Sequence, residues 1–306
     1  MNLESEVRDG YLVSAEMKKV WAVQMELLKK LLNVCDKYGL RIFADGGTLL
    51  GTVRHNGYIP WDDDIDMVML RPDYDKLVSV ATKEFDHPYF FQCGYTEKVY
   101  PRGHSQLRMD GTAAIQLSTA FLHAHQGVFI DIFPYDAVPD DEDQMNSQIE
   151  ERNKLFNKIS HSSVFYWLHP IRSVRLFLKK SNFSKLYKKY EDLFRKYKIE
   201  DCKNVSCFSF HVDPEKFLRD KHWYDETIYM PFEDVMMPVP SGYHEILTKQ
   251  YGDYMTPVQA PSYHGGFWKL DADKGFEDYL PEMKRSLKRL NRQRAIQRIK
   301  KIILKQ

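Results

Sequence analysis

A short acidic segment followed by an apolar run constrains this chain more than any other part of its sequence. Residues 59–70 read IPWDDDIDMVML, which places four aspartates within five positions directly before the apolar run. From Asp64 onward, apolar residues alternate with Asp64 and Asp66, the period-two pattern of a half-buried strand. Residues two apart on a strand point to the same face, so the sequence predicts two adjacent carboxylates, about 6.5–7 Å apart at their backbones.

Two carboxylates this close raise each other's pKa unless a cation neutralises them. Oxygen ligands favour Mg²⁺ or Mn²⁺ over zinc. A third carboxylate, Asp131, stands alone inside the apolar run VFIDIF at 128–133, where a lone buried charge is costly without a cation or a partner. We therefore predict Asp64, Asp66 and Asp131 as metal ligands and catalytic residues. Two simpler interpretations stay open: a solvated acidic turn at 62–66 and a hydrogen-bonded structural role for Asp131.

A glycine pair precedes the acidic segment. Gly46 and Gly47 let the backbone approach a ligand closely, and Thr48 opens a predicted helix, 48–55, whose free N–H groups attract phosphate. Arg54 ends that helix and could add positive charge beside the phosphate. A surface role for Arg54 and a plain turn at the glycine pair are the alternatives.

The rest of the chain mixes helical and strand patterns. We predict helices at 12–38, 73–85 and 241–251 (with Ser241 as a possible cap), and strands at 41–45, 64–70, 89–93, 106–110, 113–117, 128–133, 208–212 and 234–239, the last ended by prolines at 238 and 240. This mixture predicts an α+β fold with a mixed sheet flanked by helices. The expected organisation is a catalytic core at 1–140, a mainly helical insertion at 141–205, a part completing the core at 206–280 and a basic helical tail at 281–306.

Charge and cysteine content narrow the function classes. Lys and Arg number 44 and Asp and Glu 43 among 306 residues, a net charge of +1, which argues against a general nucleic-acid-binding protein. The four cysteines form no CxxC pair, which indicates reduced thiols. The first ten residues, MNLESEVRDG, lack a signal-peptide pattern, and no apolar stretch approaches the length of a membrane span. We therefore expect a cytoplasmic protein.

The C-terminal tail carries a charge pattern of its own. Ten basic residues and no acidic residue lie between 284 and 305. Apolar residues at 295, 299, 302 and 303 share one helical stripe. Such a basic amphipathic helix can lie on an anionic lipid surface, so we expect peripheral contact with the inner face of the cytoplasmic membrane. A solvated or partner-packed terminal helix is the alternative.

These motifs together resemble the nucleotidyltransferase superfamily, in which a Gly-Gly turn and a helix precede an Asp-h-Asp-h strand and a later strand carboxylate. The closer resemblance is to the LicD family of phosphocholine and phosphosugar-alcohol transferases. It rests on DGGTLLGTVRHNGYIPWDDDID at 45–66, FIDIFP at 129–134, VPSGY at 239–243 and YGDYMTP at 251–257. The resemblance covers roughly residues 15–270 and is thinnest in the middle of the chain.

The resemblance implies metal-dependent transfer of phosphocholine from CDP-choline to a hydroxyl of a cell-surface glycan precursor, releasing CMP. The implied acceptor is a teichoic acid or lipopolysaccharide sugar, and a lipid-linked glycan is one form that it could take. Asp64 and Asp66 would hold the ion on the donor diphosphate, and Asp131 would share a second ion or act as general base for the acceptor hydroxyl. Gly46, Gly47 and Thr48 would contact phosphate. Arg54 could add positive charge near the donor, and His264, in a glycine-rich loop after the last motif, could reach the same site.

Further side chains are candidates for the same site. Tyr58 and Trp61 could offer an aromatic face to the quaternary ammonium of choline, although core packing is the alternative for Trp61. Arg102 and Arg108 are further candidate phosphate ligands. Three other functions stay open: a nucleotidyltransferase with the same metal triad, a transferase of another CDP-activated alcohol (ribitol or glycerol), and a non-catalytic module that retains the fold.

Overall fold

The computed structural model describes residues 1–97, 100–116, 124–163, 183–209, 217–259 and 269–303. The helices in these ranges are α1 (Ala15–Tyr38), α2 (Gly46–His55), α3 (Arg71–Glu84), α4 (Glu142–Ser163), α5 (Phe183–Phe194), α6 (Tyr243–Tyr251) and α7 (Leu280–Ile303). The strands are β1 (Glu6–Arg8), β2 (Tyr11–Val13), β3 (Phe43–Ala44), β4 (Asp66–Leu70), β5 (Tyr89–Gln92), β6 (Ser105–Met109), β7 (Ala113–Ile115), β8 (Phe129–Val138), β9 (Asn204–Ser206), β10 (Arg219–Asp220), β11 (Thr227–Phe232), β12 (Val235–Pro240) and β13 (Lys269–Asp271).

A seven-stranded mixed sheet organises the core, with β8 at its centre. Strand β4 runs parallel to β8, and β3 pairs antiparallel with β4. On the other edge of β8, the first half pairs with β6 and the second half with β9, both antiparallel. The predicted α+β class, a mixed sheet flanked by helices, is confirmed.

Helix α1 lies against the core through a continuous apolar face that includes the fully buried Trp21 and Leu28. Its predicted start at residue 12 is wrong. Ser14 caps the helix by accepting a hydrogen bond from the Met17 N–H at 3.2 Å, while residues 11–13 form β2. The preceding turn at Asp9–Gly10 has positive φ angles, which reverses the chain into a hairpin with β1.

Prolines and caps account for the differences near the C-terminal part of the core. Strand β12 continues through Pro238 to Pro240, rather than ending there, because it belongs to a two-stranded pair in which a missing N–H is tolerated. Helix α6 begins two residues later than predicted, after Gly242. The Ser241 hydroxyl donates instead to the Trp223 carbonyl at 3.3 Å.

The region predicted as a helical insertion contains α4 and α5, which share a small core with the sheet. Ile159 and Tyr190 are fully buried there and belong to one cluster with Val138 of β8. Of the predicted strand at 208–212, only 208 and 209 are described, and they form a turn. The proposed division into four segments stays a prediction.

Candidate active site

The three predicted carboxylates meet where β4 and β8 lie side by side. Asp66 on β4 is directly opposite Asp131 on β8, and Asp64 lies just before β4 rather than within it. One oxygen from each of Asp64, Asp66 and Asp131 lies within 4.8 Å of the others. Asp64 and Asp131 are buried. Since Asp62, Asp63 and Asp66 are also half-buried, the acidic segment is not a solvated turn.

The charges of this cluster act on one another. The pKa of Asp66 is raised well above its usual value, first by burial and then by the negative charges of Asp64 and Asp131. At Asp131, burial also favours the neutral form, but nitrogen donors outweigh it and lower the pKa. His104 Nε2 lies 3.2 Å from Asp131 Oδ1, and Gln106 Nε2 donates to that same oxygen at 2.7 Å. The positive charge of Arg102 lowers the pKa of Asp131 further.

The cluster fits a hard divalent cation. All its candidate ligand atoms are carboxylate oxygens, the set that suits Mg²⁺ and Mn²⁺. A bound cation would also remove the repulsion that raises the pKa of Asp66. Asp62, Asp63 and Asp64 form a second, overlapping group whose oxygens lie within 4.8 Å of one another.

The glycine pair opens α2 right beside this cluster. Gly46 has a φ of 54°, in the left-handed region that favours glycine. A Cβ at Gly47 would lie 2.5 Å from Asp62 Oδ2, so any larger residue there would displace the Asp62 carboxylate. The Thr48 hydroxyl accepts the Asp66 N–H at 2.8 Å and so ties the start of α2 to β4.

Asp45 occupies the N-cap position of α2 without capping it. Its side chain accepts no hydrogen bond from the helix, although aspartate is among the best capping residues. The carboxylate instead accepts from the Tyr135 hydroxyl at 2.6 Å and lies 3.6 Å from Arg219 Nη2. The positive end of the α2 dipole is therefore not neutralised by its own cap, which suits a site for an anionic group.

Helix α1 supports the acidic segment through two side-chain hydrogen bonds, a role that the sequence did not predict. Trp21 Nε1 donates to the Asp62 carbonyl at 3.1 Å, and Gln24 Nε2 donates to the Asp63 carbonyl at 2.8 Å. Gln24 in turn accepts from the Tyr58 hydroxyl at 3.1 Å. The one sequence signal for this role is a glutamine on a mostly apolar helix face.

Tyr58 is therefore not a face for choline, and that interpretation is wrong. Its ring is buried and stacks on Trp21 with centroids 4.3 Å apart. The half-buried Trp61 packs against the core and makes an edge contact with Tyr11, with centroids 6.1 Å apart.

The other candidate phosphate ligands lie in different settings. Arg54 Nη1 donates to the Tyr254 carbonyl at 2.7 Å, which fastens the segment after α6 to α2; its contact with phosphate stays a prediction. Arg108 is buried and donates to protein oxygens from each of its three nitrogens. It therefore supports the sheet rather than presenting a phosphate ligand at the surface. His264 lies outside the described residues.

Comparisons with known proteins show which family this chain belongs to. Residues 39–176 match the profile described as LicD/FKTN/FKRP, nucleotidyltransferase domain. The chain is also 30% identical over 239 residues to the lipopolysaccharide cholinephosphotransferase LicD of Haemophilus influenzae, covering 76% of this chain and 89% of that protein. The chain belongs to the LicD family. The resemblance seen in the sequence is thereby confirmed.

Shorter matches link this LicD-family chain to two uncharacterised proteins. It is 37% identical over 71 residues to one from Rickettsia prowazekii, covering 23% of this chain and 24% of that protein. It is 34% identical over 73 residues to one from Rickettsia typhi, covering 24% of this chain and 22% of that protein. Among the described residues, no helix combines the length and apolar character needed to cross a bilayer.

Proposed function

We propose that this chain is a LicD-type phosphotransferase that moves phosphocholine from CDP-choline to a hydroxyl of a cell-surface glycan precursor. The observation that carries the proposal is the convergence of Asp64, Asp66 and Asp131 beside the start of α2. It occurs in a chain similar over most of its length to a protein named as a lipopolysaccharide cholinephosphotransferase. The proposed acceptor is a lipopolysaccharide sugar or a teichoic acid.

The reaction forms one bond and breaks one. The acceptor hydroxyl oxygen attacks the phosphorus that bears choline, the bond from that phosphorus to CMP breaks, and CMP leaves with the diphosphate-bridging oxygen. In such transfers the protein mainly positions groups and stabilises charge. A divalent ion would supply charge neutralisation for the donor diphosphate. Asp64 and Asp66 would hold it.

Asp131 is proposed to bind a cation together with Asp64 and Asp66 and to act as the general base. Both of the donors described above contact its Oδ1, so its pKa is low and it stays ionised near neutral pH. An ionised carboxylate can bind a cation and accept a proton from the attacking hydroxyl. The N–H groups of Gly46, Gly47 and Thr48 would bind a donor phosphate, since Asp45 does not cap them.

Product analysis tests this proposal. Purified chain is incubated with Mg²⁺, CDP-choline and either lipopolysaccharide or a teichoic acid precursor, with Asp66→Asn as the matched control. We expect CMP release and phosphocholine on the acceptor with the wild type only. Pyrophosphate release from ATP or CTP would favour the nucleotidyltransferase alternative. Turnover of CDP-ribitol or CDP-glycerol alone would favour a transferase of another CDP-activated alcohol. The absence of turnover with every donor would favour the non-catalytic module.

The basic tail is proposed to bring the active site to an anionic membrane surface. Helix α7 begins at Leu280 and is anchored by the fully buried Met283, beyond which Lys284, Arg285, Lys288 and Arg289 are exposed. Each basic residue near an anionic surface contributes about 1 kcal/mol. The predicted apolar stripe at 295, 299, 302 and 303 falls on side chains outside the described part of the chain.

Vesicle co-sedimentation tests the tail without disturbing its anchor. The variant replaces the four exposed basic residues from Lys284 to Arg289 with Gln and keeps Met283. The control replaces Lys154 and Lys188, exposed on α4 and α5, with Gln. We expect the wild type and the control to pellet with anionic vesicles at low salt, and the tail variant to stay in solution. Equal pelleting of the tail variant would remove these four basic residues from membrane binding.

A further inference from the structure

A buried arginine lies next to the acidic cluster without belonging to it. Arg108 on β6 is 7% exposed, and its guanidinium lies 4.6 Å from the centroid of the Phe129 ring. Its Nε donates to Gln92 Oε1 at 2.5 Å, its Nη1 to the Gly127 carbonyl at 2.6 Å and its Nη2 to Gln106 Oε1 at 2.5 Å. All three acceptors are neutral oxygens, an unusual setting for a buried cation.

Gln106 connects this arginine to the acidic cluster. It is fully buried, lies opposite Asp131 in the β6–β8 pairing and donates from Nε2 to Asp131 Oδ1 at 2.7 Å. An arginine side chain has donors only, so the Gln106 amide must turn its oxygen toward Arg108. Its NH₂ group must then face Asp131, so the orientation of the amide follows from the donor-only side chain of Arg108.

Gln106 cannot flip while Arg108 is in place. Rotation of the amide would put its oxygen against the Asp131 carboxylate and its NH₂ group against a guanidinium, so both contacts would become repulsive. The Asp131 oxygen that accepts from Gln106 also lies 3.2 Å from His104 Nε2. Both nitrogens therefore hold the same carboxylate oxygen, which fixes how the carboxyl group is turned about its axis.

We propose that Arg108 and Gln106 are positioning residues, acting in series, that hold Asp131 in the orientation in which it binds a divalent cation together with Asp64 and Asp66. The inference rests on the proposed metal site. Arg108 does not touch the cation in this arrangement, and it acts only through the amide of Gln106. Groups that orient a metal ligand typically change metal affinity by about 10–100-fold when removed.

Mn²⁺ binding, measured by electron paramagnetic resonance on the full chain without any donor, tests the inference. The variants are Arg108→Met, Gln106→Met and the double variant. Arg152→Met is the matched control, because Arg152 is also buried, lies 4.9 Å from the Phe156 ring centroid and donates to a carbonyl. We expect each single variant to raise the Mn²⁺ dissociation constant about 10–100-fold and the control to stay within about threefold of the wild type.

Two further comparisons separate positioning from general support. Because the two residues act in series, their effects on the Mn²⁺ dissociation constant should not add. The double variant should have about the same dissociation constant as the single variant that binds Mn²⁺ less tightly. Arg108→Lys keeps a donor-only cation and should bind Mn²⁺ more tightly than Arg108→Met. If Arg108→Met does not fold, Gln106→Met and Arg108→Lys still decide.

Wild-type affinity in Gln106→Met, or an equal loss in Arg152→Met, would overturn the inference. Additive losses in the double variant would overturn the serial arrangement. A wild-type chain that binds no Mn²⁺ would instead overturn the proposed metal site itself, so the two failures are distinguishable.

Discussion

Strand β8 carries Asp131 and Asp136, five residues apart, and each belongs to a cluster of carboxylates. The two clusters differ in the charge of the groups around them. At Asp136, the Arg71 guanidinium donates to both carboxylate oxygens at 2.5 and 3.0 Å. It also reaches Glu191 at 3.1 Å, and Arg195 closes the cluster at 2.9 Å from Glu191. At the Asp131 cluster, the groups that act most strongly on Asp66 are other carboxylates.

The contrast separates a structural cluster from the proposed metal site. The Asp136 cluster joins α3, β8 and α5 with cations that the chain supplies, so it is a structural ion-pair network. The Asp131 cluster concentrates negative charge at the start of α2, and in the proposed function a divalent cation from outside the chain would neutralise it. Acidic composition alone does not separate the two, but the charge of the nearest partners does.

The largest expected effect comes from removing one charge of the Asp131 cluster. We expect Asp66→Asn to lower turnover more than about 10³-fold, since losing even one stabilising donor can cost about 10²–10³-fold. The free energy of unfolding without metal should hold or rise, because the raised pKa of Asp66 means that folding disfavours its ionised form. Turnover assays and urea unfolding in EDTA check both parts, and a large loss of stability would contradict the account.

The opposite result is expected at the structural cluster. Arg71→Met leaves Asp136 and Glu191 buried without their shared arginine, which should lower the free energy of unfolding by about 3–5 kcal/mol. The triple variant that also carries Asp136→Leu and Glu191→Leu is the control, and it should recover much of that loss. Urea unfolding decides, and a loss below about 1 kcal/mol for Arg71→Met would mean that the network does not hold α5 to the sheet.

The pH dependence of stability should sharpen the comparison by a smaller amount. Burial raises the pKa of Asp66, as described, and that of Asp136 to about 6 despite Arg71. A carboxyl whose pKa is raised by folding binds more protons in the folded state, so its contribution to stability falls as the pH rises between the two pKa values. In EDTA, we expect the wild type to lose more stability than Asp66→Asn between pH 4 and pH 8. Parallel curves would contradict the raised pKa of Asp66.

The smallest effect is expected for Gln24, whose side chain supports the acidic segment. Gln24→Met removes a donor from the Asp63 carbonyl and an acceptor from Tyr58, at a cost of about 1–3 kcal/mol in unfolding free energy. The KM for the donor should rise, and turnover at low donor concentration should fall, because the acidic segment loses its fixed position. Val23→Ala on the neighbouring position of α1 is the control, which should leave KM unchanged. An unchanged KM in Gln24→Met would limit Gln24 to a structural role.

The acidic site was predictable because its signal is local. The alternation from Asp64 to Asp66 and the single aspartate within the apolar run at 128–133 identified three carboxylates that the β4–β8 pairing does bring together. The predicted start of the strand at 64 is wrong, since β4 begins at Asp66. Hydrogen bonding to a neighbouring strand decides where a strand begins, and the local sequence does not show it.

The supporting residues were not predictable because they act across the sheet. Gln106 looks like an ordinary strand position, and Arg108 was predicted only as a candidate phosphate ligand. Only the β6–β8 register places Gln106 opposite Asp131. The Arg71–Glu191 ion pair joins residues 120 positions apart, and no local pattern marks it. Tyr58 was misjudged for the same reason, since its burial against Trp21 depends on how α1 packs.

The most direct test of the central claim is the melting temperature as a function of Mg²⁺ concentration at constant ionic strength. If the Asp131 cluster needs a cation, added Mg²⁺ should raise the melting temperature of the wild type, since a ligand that binds only the folded state stabilises it. Asp66→Asn should start at least as high in EDTA and respond far less, because its cluster already lacks one charge. A wild type that does not respond to Mg²⁺, or an Asp66→Asn variant that responds equally, would contradict the account.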